Sequence, residues 1–264
     1  MKVFDFISDD DISRKGVLDI SLPLVHSRPS YRVKDILQKK KLEQNPGDDL
    51  LYFFYARPAR RFKEPKVPVV FIVEPILDGI KRIYPFDSGA YKLYIENGRL
   101  EPKIPISDYE LQNNNFFTIQ QYVNAIFGSN HNYYYGRRKA DDELPDSVKR
   151  YRKIDSDLNN LLNLIAEKKK DGIDDRRKTV EIQSVNDYEL SGKLKAVIYP
   201  NGGNMNDPDL HKAIIMCGCK KPPLPYSYKD YNNAEDPVKE ILYKTIEGYY
   251  ANKGYITSGD NYED

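Results

Sequence analysis

Three side chains able to do chemistry stand far apart in this sequence. His26 closes the apolar run "LPLV", Arg57 opens the basic stretch "RPARRF", and Glu181 lies inside "TVEIQS". A histidine can donate or accept a hydrogen bond at either ring nitrogen near neutral pH. A carboxylate on an edge strand can face a cleft and serve as acid, base or counter-charge. Each also has an ordinary reading: His26 as the polar end of a strand, Glu181 as an exposed strand glutamate.

Several other chemistries find no support. The chain contains no GxxxxGK[ST] phosphate loop, no GxGxxG and no GxSxG elbow. His211, Cys217 and Cys219 offer three metal ligands where a structural zinc site takes four, so a buried pair of helix-end cysteines is the better reading and no metal is expected.

A chain of 264 residues fits one α/β or α+β domain with insertions and can bury a sizeable core. It has no apolar run of about 18 residues that could span a bilayer. The opening "MKVFDFISDDDIS" carries acids where a signal peptide carries bases. A cytoplasmic protein without membrane attachment is therefore expected, and the closely spaced cysteines are not read as a disulfide framework.

The net charge is only +1, but the cations are bunched at Lys39 to Lys41, Arg57 to Arg61, Arg137 to Lys139, Lys149 to Lys153, Lys168 to Lys170 and Arg176 to Lys178. Tyrosine occurs 22 times and tryptophan not at all, so aromatic recognition falls to tyrosine and phenylalanine. In "HNYYYGRRK", Tyr133, Tyr134 and Tyr135 precede Arg137 and Arg138, a mix of stacking faces and cations that suits single-stranded nucleic acid. The alternative is a tyrosine-rich segment packed on its own domain.

The elements that must position these groups follow from periodicity. Strands are expected from Leu22 to His26, over 50–55, over 67–73, over 179–184 and over 194–200. Pro29 and Ser30 open a helix with Val33, Ile36 and Leu37 on one face. "PILDGIKRI" reads as a short helix and "YPFDSGAY" as a loop. Thr118 and Gln121 form a capping box for a helix through Phe127. Apolar positions at Val148, Tyr151, Ile154, Leu158, Leu161, Leu162 and Ile165 predict one long amphipathic helix from Asp146 to about Lys170 with a basic polar face. A helix runs from residue 207 or 208 to Met216. "KKPPLPYSYKDY" reads as a Pro-rich linker before a last helix near residues 235–251.

Taken in order, these segments resemble a known family. A strand ending in histidine with its helix ("LVHSRPSYRVKDILQKKKLE"), a Tyr/Phe strand running into Arg-Pro ("LLYFFYARPARRF"), the "VPVVFIVEPILDGIKRIYPFDSGAYK" segment, the glutamate strand "RRKTVEIQS" and the closing "LKAVIYP" are together similar to the DarT type of ADP-ribosyltransferase. These toxins modify nucleic acid. The resemblance covers roughly residues 20–200. It departs from the family pattern at Arg57-Pro58-Ala59, where Ser, Pro and Met usually follow the arginine. It departs again at Asp87-Ser88-Gly89, where the loop carries one extra residue.

The resemblance implies an α+β fold: an ADP-ribosyltransferase-like split β-sheet core with flanking helices and a helical insertion before the catalytic strand. A catalytic domain would occupy residues 1–220, with 221–264 as linker and C-terminal helix packing on the domain or a partner. The implied reaction cleaves the nicotinamide–ribose bond of NAD, the co-substrate, and transfers ADP-ribose to a base of single-stranded DNA or RNA, as a toxin or anti-phage effector. Glu181 and Arg57 are the implied catalytic residues. His26, Ser27, Arg28, Tyr52, Phe86 and Asp87 would bind NAD, and Tyr133, Tyr134, Tyr135, Arg137 and Arg138 the acceptor. An antitoxin or other inhibitory partner is implied as well. The rival readings are an NAD glycohydrolase using the same glutamate and a non-catalytic nucleic-acid-binding module.

Overall fold

A computed structural model describes residues 22–57, 68–76, 78–111, 115–167, 176–201, 208–219, 223–227 and 235–257. The fold is mixed α+β, with a mostly antiparallel seven-stranded sheet flanked by helices. Its strands are β1 (Leu24–Pro29), β3 (Leu51–Tyr55), β4 (Pro68–Val73), β5 (Ile80–Tyr84), β6 (Glu181–Ser184), β8 (Leu194–Pro200) and β9 (Leu224–Tyr226), in the order β5-β6-β3-β1-β4-β8-β9. β2 (Lys41–Leu42) and β7 (Tyr188–Glu189) form a separate pair. The chain divides into two compact units. One is built on Lys81–Ile182, the other on Pro23–Ile80 with Gln183–Gly254. Among the described residues no helix is long and apolar enough to cross a membrane.

In the second unit β4, "PVVFIV", is buried at every position, as expected of a β-branched strand covered on both faces. It pairs antiparallel with β1 along its whole length, placing His26 opposite Phe71, and antiparallel with β8 on its other side. β1 does not stop at His26 but runs on through Pro29, and a 3-10 turn at Ser30–Arg32 leads into helix α1 (Val33–Lys39), which buries Val33, Ile36 and Leu37. The stretch read as a Pro-rich linker supplies β9, parallel to β8, and the Tyr226 hydroxyl donates to Pro68 O at 2.6 Å. The C-terminal segment up to Gly254 therefore belongs to the sheet unit.

The expected helix over "PILDGIKRI" is replaced by β5. Ile80 and Ile83 have helical spacing, but Gly79 before them adopts φ +74°, and a Cβ there would come within 2.6 Å of the Asn186 side chain. A left-handed glycine ends a helical path and starts the strand instead.

The other unit is mainly helical, with α2 (Tyr91–Glu96), α3 (Phe116–Phe127), α4 (Asn130–Tyr135), α5 (Asp146–Ile154) and α6 (Ser156–Ala166) between β5 and β6. The cap of α3 is Asn115, whose side chain accepts from Thr118 N at 2.9 Å, so Thr118 lies inside the helix rather than at its start. The long helix expected from Asp146 breaks at Asp155, which is extended and caps α6 by accepting from the Asp157 and Leu158 amides. The break turns the register, and Ile154, assigned to the apolar stripe, is 69% exposed. In the second unit helices α7 (Pro208–Met216) and α8 (Glu235–Asn252) complete the set. Lys168 to Lys170 lie outside the described residues.

Because Asp155 satisfies two otherwise orphaned amides, Asp155→Ala is expected to cost about 1–2 kcal/mol of stability. Urea denaturation followed by circular dichroism checks this, and Asp155→Asn should recover most of the loss.

Candidate active site

Glu181 begins β6 and is 2% exposed, so it is not a solvated strand glutamate. Its carboxylate accepts twice from one residue: Ser88 Oγ donates to Oε1 at 2.6 Å, and Ser88 N donates to Oε2 at 3.2 Å. Ser88 opens a 3-10 turn whose cap is Asp87, which accepts from Gly89 N at 2.9 Å. The Asp87 amide donates to Arg176 O at 2.8 Å, tying this loop to the turn that leads into β6. Sequence reasoning assigned Asp87 and passed over Ser88. The available signal was the Asp-Ser-Gly tripeptide, a tight turn that aims a hydroxyl.

Two further contacts fix the approach to Glu181. Val180 N donates to the Tyr133 hydroxyl at 3.0 Å, and the buried Lys178 ammonium donates to Gly136 O at 2.9 Å. Tyr84 on β5 is held above the usual tyrosine range, chiefly by burial, and the charge of Glu181 adds to that rise. Phe86 is fully buried in an aromatic cluster. Its ring lies 6.4 Å from Tyr91 and 6.5 Å from Tyr84 in stacked arrangements, with Tyr94 and Tyr109 against its edges. Phe86 thus packs its own unit, with neighbours on the faces assigned to nicotinamide.

The acceptor residues also sit differently from expectation. Tyr133, Tyr134 and Tyr135 are 0%, 0% and 1% exposed and belong to the core of α4, not to a stacking platform. Tyr133 packs edge-on to Phe127, Tyr134 edge-on to Tyr135, and the Arg137 guanidinium lies 5.2 Å over the Tyr135 ring. Aromatic side chains with a polar tip are buried most cheaply when the tip finds a partner, which is what the tyrosine run does here. Arg138 and Arg152 both pair with Asp141, at 2.7 and 2.6 Å. Hydrogen bonds from Arg152 and then Arg138 hold the Asp141 carboxyl below its ordinary range.

In the sheet unit, His26 is buried on β1 with Nδ1 2.7 Å from Tyr52 O. A carbonyl only accepts, so Nδ1 carries a proton, and in the neutral form of the ring Nε2 is the acceptor. The ring lies 5.5 Å from Phe53. Ser27 is buried with no hydrogen-bond partner for its Oγ among the described residues, a setting that fits a polar ligand group. Arg28 instead braces the neighbouring loop, donating to Asn45 Oδ1 and to Glu43 O. The Tyr52 hydroxyl donates to Asp48 Oδ2 at 2.6 Å. Arg57 is fully buried directly after Ala56, a non-glycine residue at φ +58°. Pro58 to Arg61 lie outside the described residues.

The described residues contain no group of His, Cys, Asp or Glu able to hold a metal ion. Cys217 and Cys219 are free and buried, and burial pushes the Cys217 thiol up.

Removing the hydroxyl in Tyr133→Phe leaves the buried Val180 amide without its acceptor, with an expected cost of about 1–3 kcal/mol in denaturant melts. A surface stacking role predicts no such loss, since phenylalanine keeps the ring. For Asp141, whose folded carboxyl titrates below its unfolded value, any stabilisation is present above the unfolded pKa and disappears as pH falls through the folded one. The difference in melting temperature between wild type and Asp141→Asn should therefore shrink below about pH 4. Compared with known proteins, the chain matches no family model, no curated protein and no solved structure at a significant level.

Proposed function

We propose that this chain is an NAD-dependent ADP-ribosyltransferase with Glu181 as its catalytic carboxylate. The single observation that carries the reading is the setting of Glu181: a buried carboxylate at the first residue of a strand, held through both oxygens by one turn. A charged group kept out of water and fixed in orientation is costly for folding and useful for catalysis.

Cleavage of the bond between nicotinamide and ribose creates positive charge at the ribose C1 and its ring oxygen, as in glycoside cleavage. A carboxylate beside that ribose accepts a hydrogen bond from its 2-hydroxyl and stabilises the developing charge. Nicotinamide leaves with the bonding electron pair, the acceptor atom bonds to C1, and the acceptor's proton is released. The parts assigned to Arg57, with phosphate oxygens or the acceptor, and to His26, accepting from a ligand hydroxyl at Nε2, extend the resemblance and suit each residue's own setting.

The acceptor is proposed to be a nucleic-acid base in DNA or RNA. Support for that part comes from the cations of α5 and the segment before it, Arg137, Arg138, Lys149, Arg150, Arg152 and Lys153, and no longer from the tyrosine rings. In a host such an enzyme would act as a toxin or anti-phage effector and need an inhibitory partner. Burial of the tyrosines favours one second reading, an NAD glycohydrolase in which water replaces the base as acceptor.

With purified protein, labelled NAD and single-stranded DNA or RNA, label is expected in the polymer and free nicotinamide in solution. Glu181→Gln is expected to lower nicotinamide release by about a hundredfold or more while the melting curve stays cooperative. Free ADP-ribose with an unlabelled polymer establishes the hydrolase instead. Undiminished nicotinamide release by Glu181→Gln rules out both enzymes.

A further inference from the structure

We infer that Ser88 is a positioning residue for Glu181, clamping its carboxylate in one orientation and favouring its ionised form. The inference rests on the reading of Glu181 given above and deepens it.

The geometry has three parts. First, the two donors of Ser88 meet different oxygens of the same carboxylate, 2.6 Å from Oγ and 3.2 Å from N. One donor would leave the carboxylate free to swing about it. Two fix its plane, and with it the direction of the lone pairs not engaged by Ser88. Second, burial alone disfavours the charged form of Glu181, whereas hydrogen bonds donated to the charged form favour it, so Ser88 opposes the burial. Third, the clamp is itself held. Asp87 caps the turn through Gly89 N, Ala90 N returns to Asp87 O at 2.9 Å, the Asp87 amide is bonded to Arg176 O, and Phe86, the residue before Asp87, is anchored in its aromatic cluster. A rigid support of this kind holds a catalytic group to the small tolerances that rate demands.

In the same unit the ionisable groups on the flanking segments are Lys81, Arg82 and Tyr84 on β5, Asp87 in the loop, and Arg176, Arg177 and Lys178 on the turn entering β6. Tyr84 stays protonated through the acid range, because burial raises it. Asp87 is common to wild type and Ser88 variants, so a change between them in the acid limb of the rate profile reports on Glu181.

The test measures nicotinamide release from NAD, which counts transfer and hydrolysis alike, for wild type, Ser88→Ala, Ser88→Thr and Glu181→Gln from about pH 4 to 9. Ser88→Ala keeps the backbone donor and loses the hydroxyl. Its kcat is expected to fall about tenfold at neutral pH with KM for NAD little changed. Its acid limb should move up by about one pH unit, because the charged form has lost a donor. Ser88→Thr restores the hydroxyl and is expected to recover both.

If Glu181→Gln is inactive while Ser88→Ala keeps the wild-type rate and acid limb, the positioning role is overturned and the reading of Glu181 stands. Equal defects in the alanine and threonine variants with an unmoved acid limb assign Ser88 to loop packing, which also overturns it. ADP-ribose found on Ser88 by mass spectrometry of the protein after incubation with NAD makes the residue an acceptor and overturns the positioning role too. Undiminished release by Glu181→Gln removes the reading on which the inference rests, whatever Ser88 does.

Discussion

A buried carboxylate is the constraint around which the helical unit is arranged. Glu181 begins a strand whose four residues are all buried, and an ionised group in that position is tolerated only with donors of good geometry. Ser88 supplies two of them, and much of the neighbouring structure serves to keep Ser88 and the start of β6 in place. The turn at 88–90 is capped by Asp87, the backbone before Glu181 is tied to the Tyr133 hydroxyl, and Lys178 reaches the carbonyl that ends α4. These contacts link segments distant in sequence, so the insertion between β5 and β6 acts as scaffolding for one side chain as well as filling a core.

The sheet unit handles buried polarity in a different way. His26 lies on a strand that is otherwise largely apolar, and the ladder itself supplies its partner, the Tyr52 carbonyl of the β3 backbone, which accepts from Nδ1. Arg57 follows a residue held in the left-handed region without being glycine, a conformation that costs of order 1 kcal/mol and persists only where its surroundings enforce it. The Ala56 amide is bonded to Pro23 O and the Arg57 amide to Tyr55 O, which shows how the end of β3 is bent to place the arginine inside. A guanidinium is tolerated in such a buried position only where partners compensate for the lost water.

Strands with a strong local signature were legible in the sequence. β4 and β8 announce themselves by β-branched runs, and β8 occupies the residues predicted for it. Helix α1 has its buried positions where the spacing put them. Three of the misread elements share a cause, a local pattern overruled by one residue. Gly79 converted a helical spacing into β5, Asp155 cut a long amphipathic stripe in two, and Asn115 took the capping role assigned to Thr118. β2, β7 and β9 are two or three residues long, too short for any periodicity to show, and exist because a neighbouring strand offers an edge. Of the site, Glu181 could be singled out by its place in a strand pattern. Its clamp was signalled only as an Asp-Ser-Gly turn, and the pairing of that turn with a carboxylate 93 positions away leaves no trace in local sequence.

The tyrosine content bears on function through the same physics. Without tryptophan, this chain builds its aromatic core largely from a residue with a hydroxyl to satisfy, and several of those hydroxyls find backbone partners: Tyr133 with Val180, Tyr188 with Glu74, Tyr226 with Pro68. Each such bond ties a ring to a segment far away in sequence, so the tyrosines work as cross-braces. Tyr133, Tyr134 and Tyr135, buried in the core, present no face to a base. A nucleic-acid acceptor, as proposed, would be met in this segment by its cations, and Asp141 already neutralises part of the charge of Arg138 and Arg152. Point charges without stacking read a phosphate backbone and not its sequence, so under the proposed function any choice among bases would fall to the residues around Glu181.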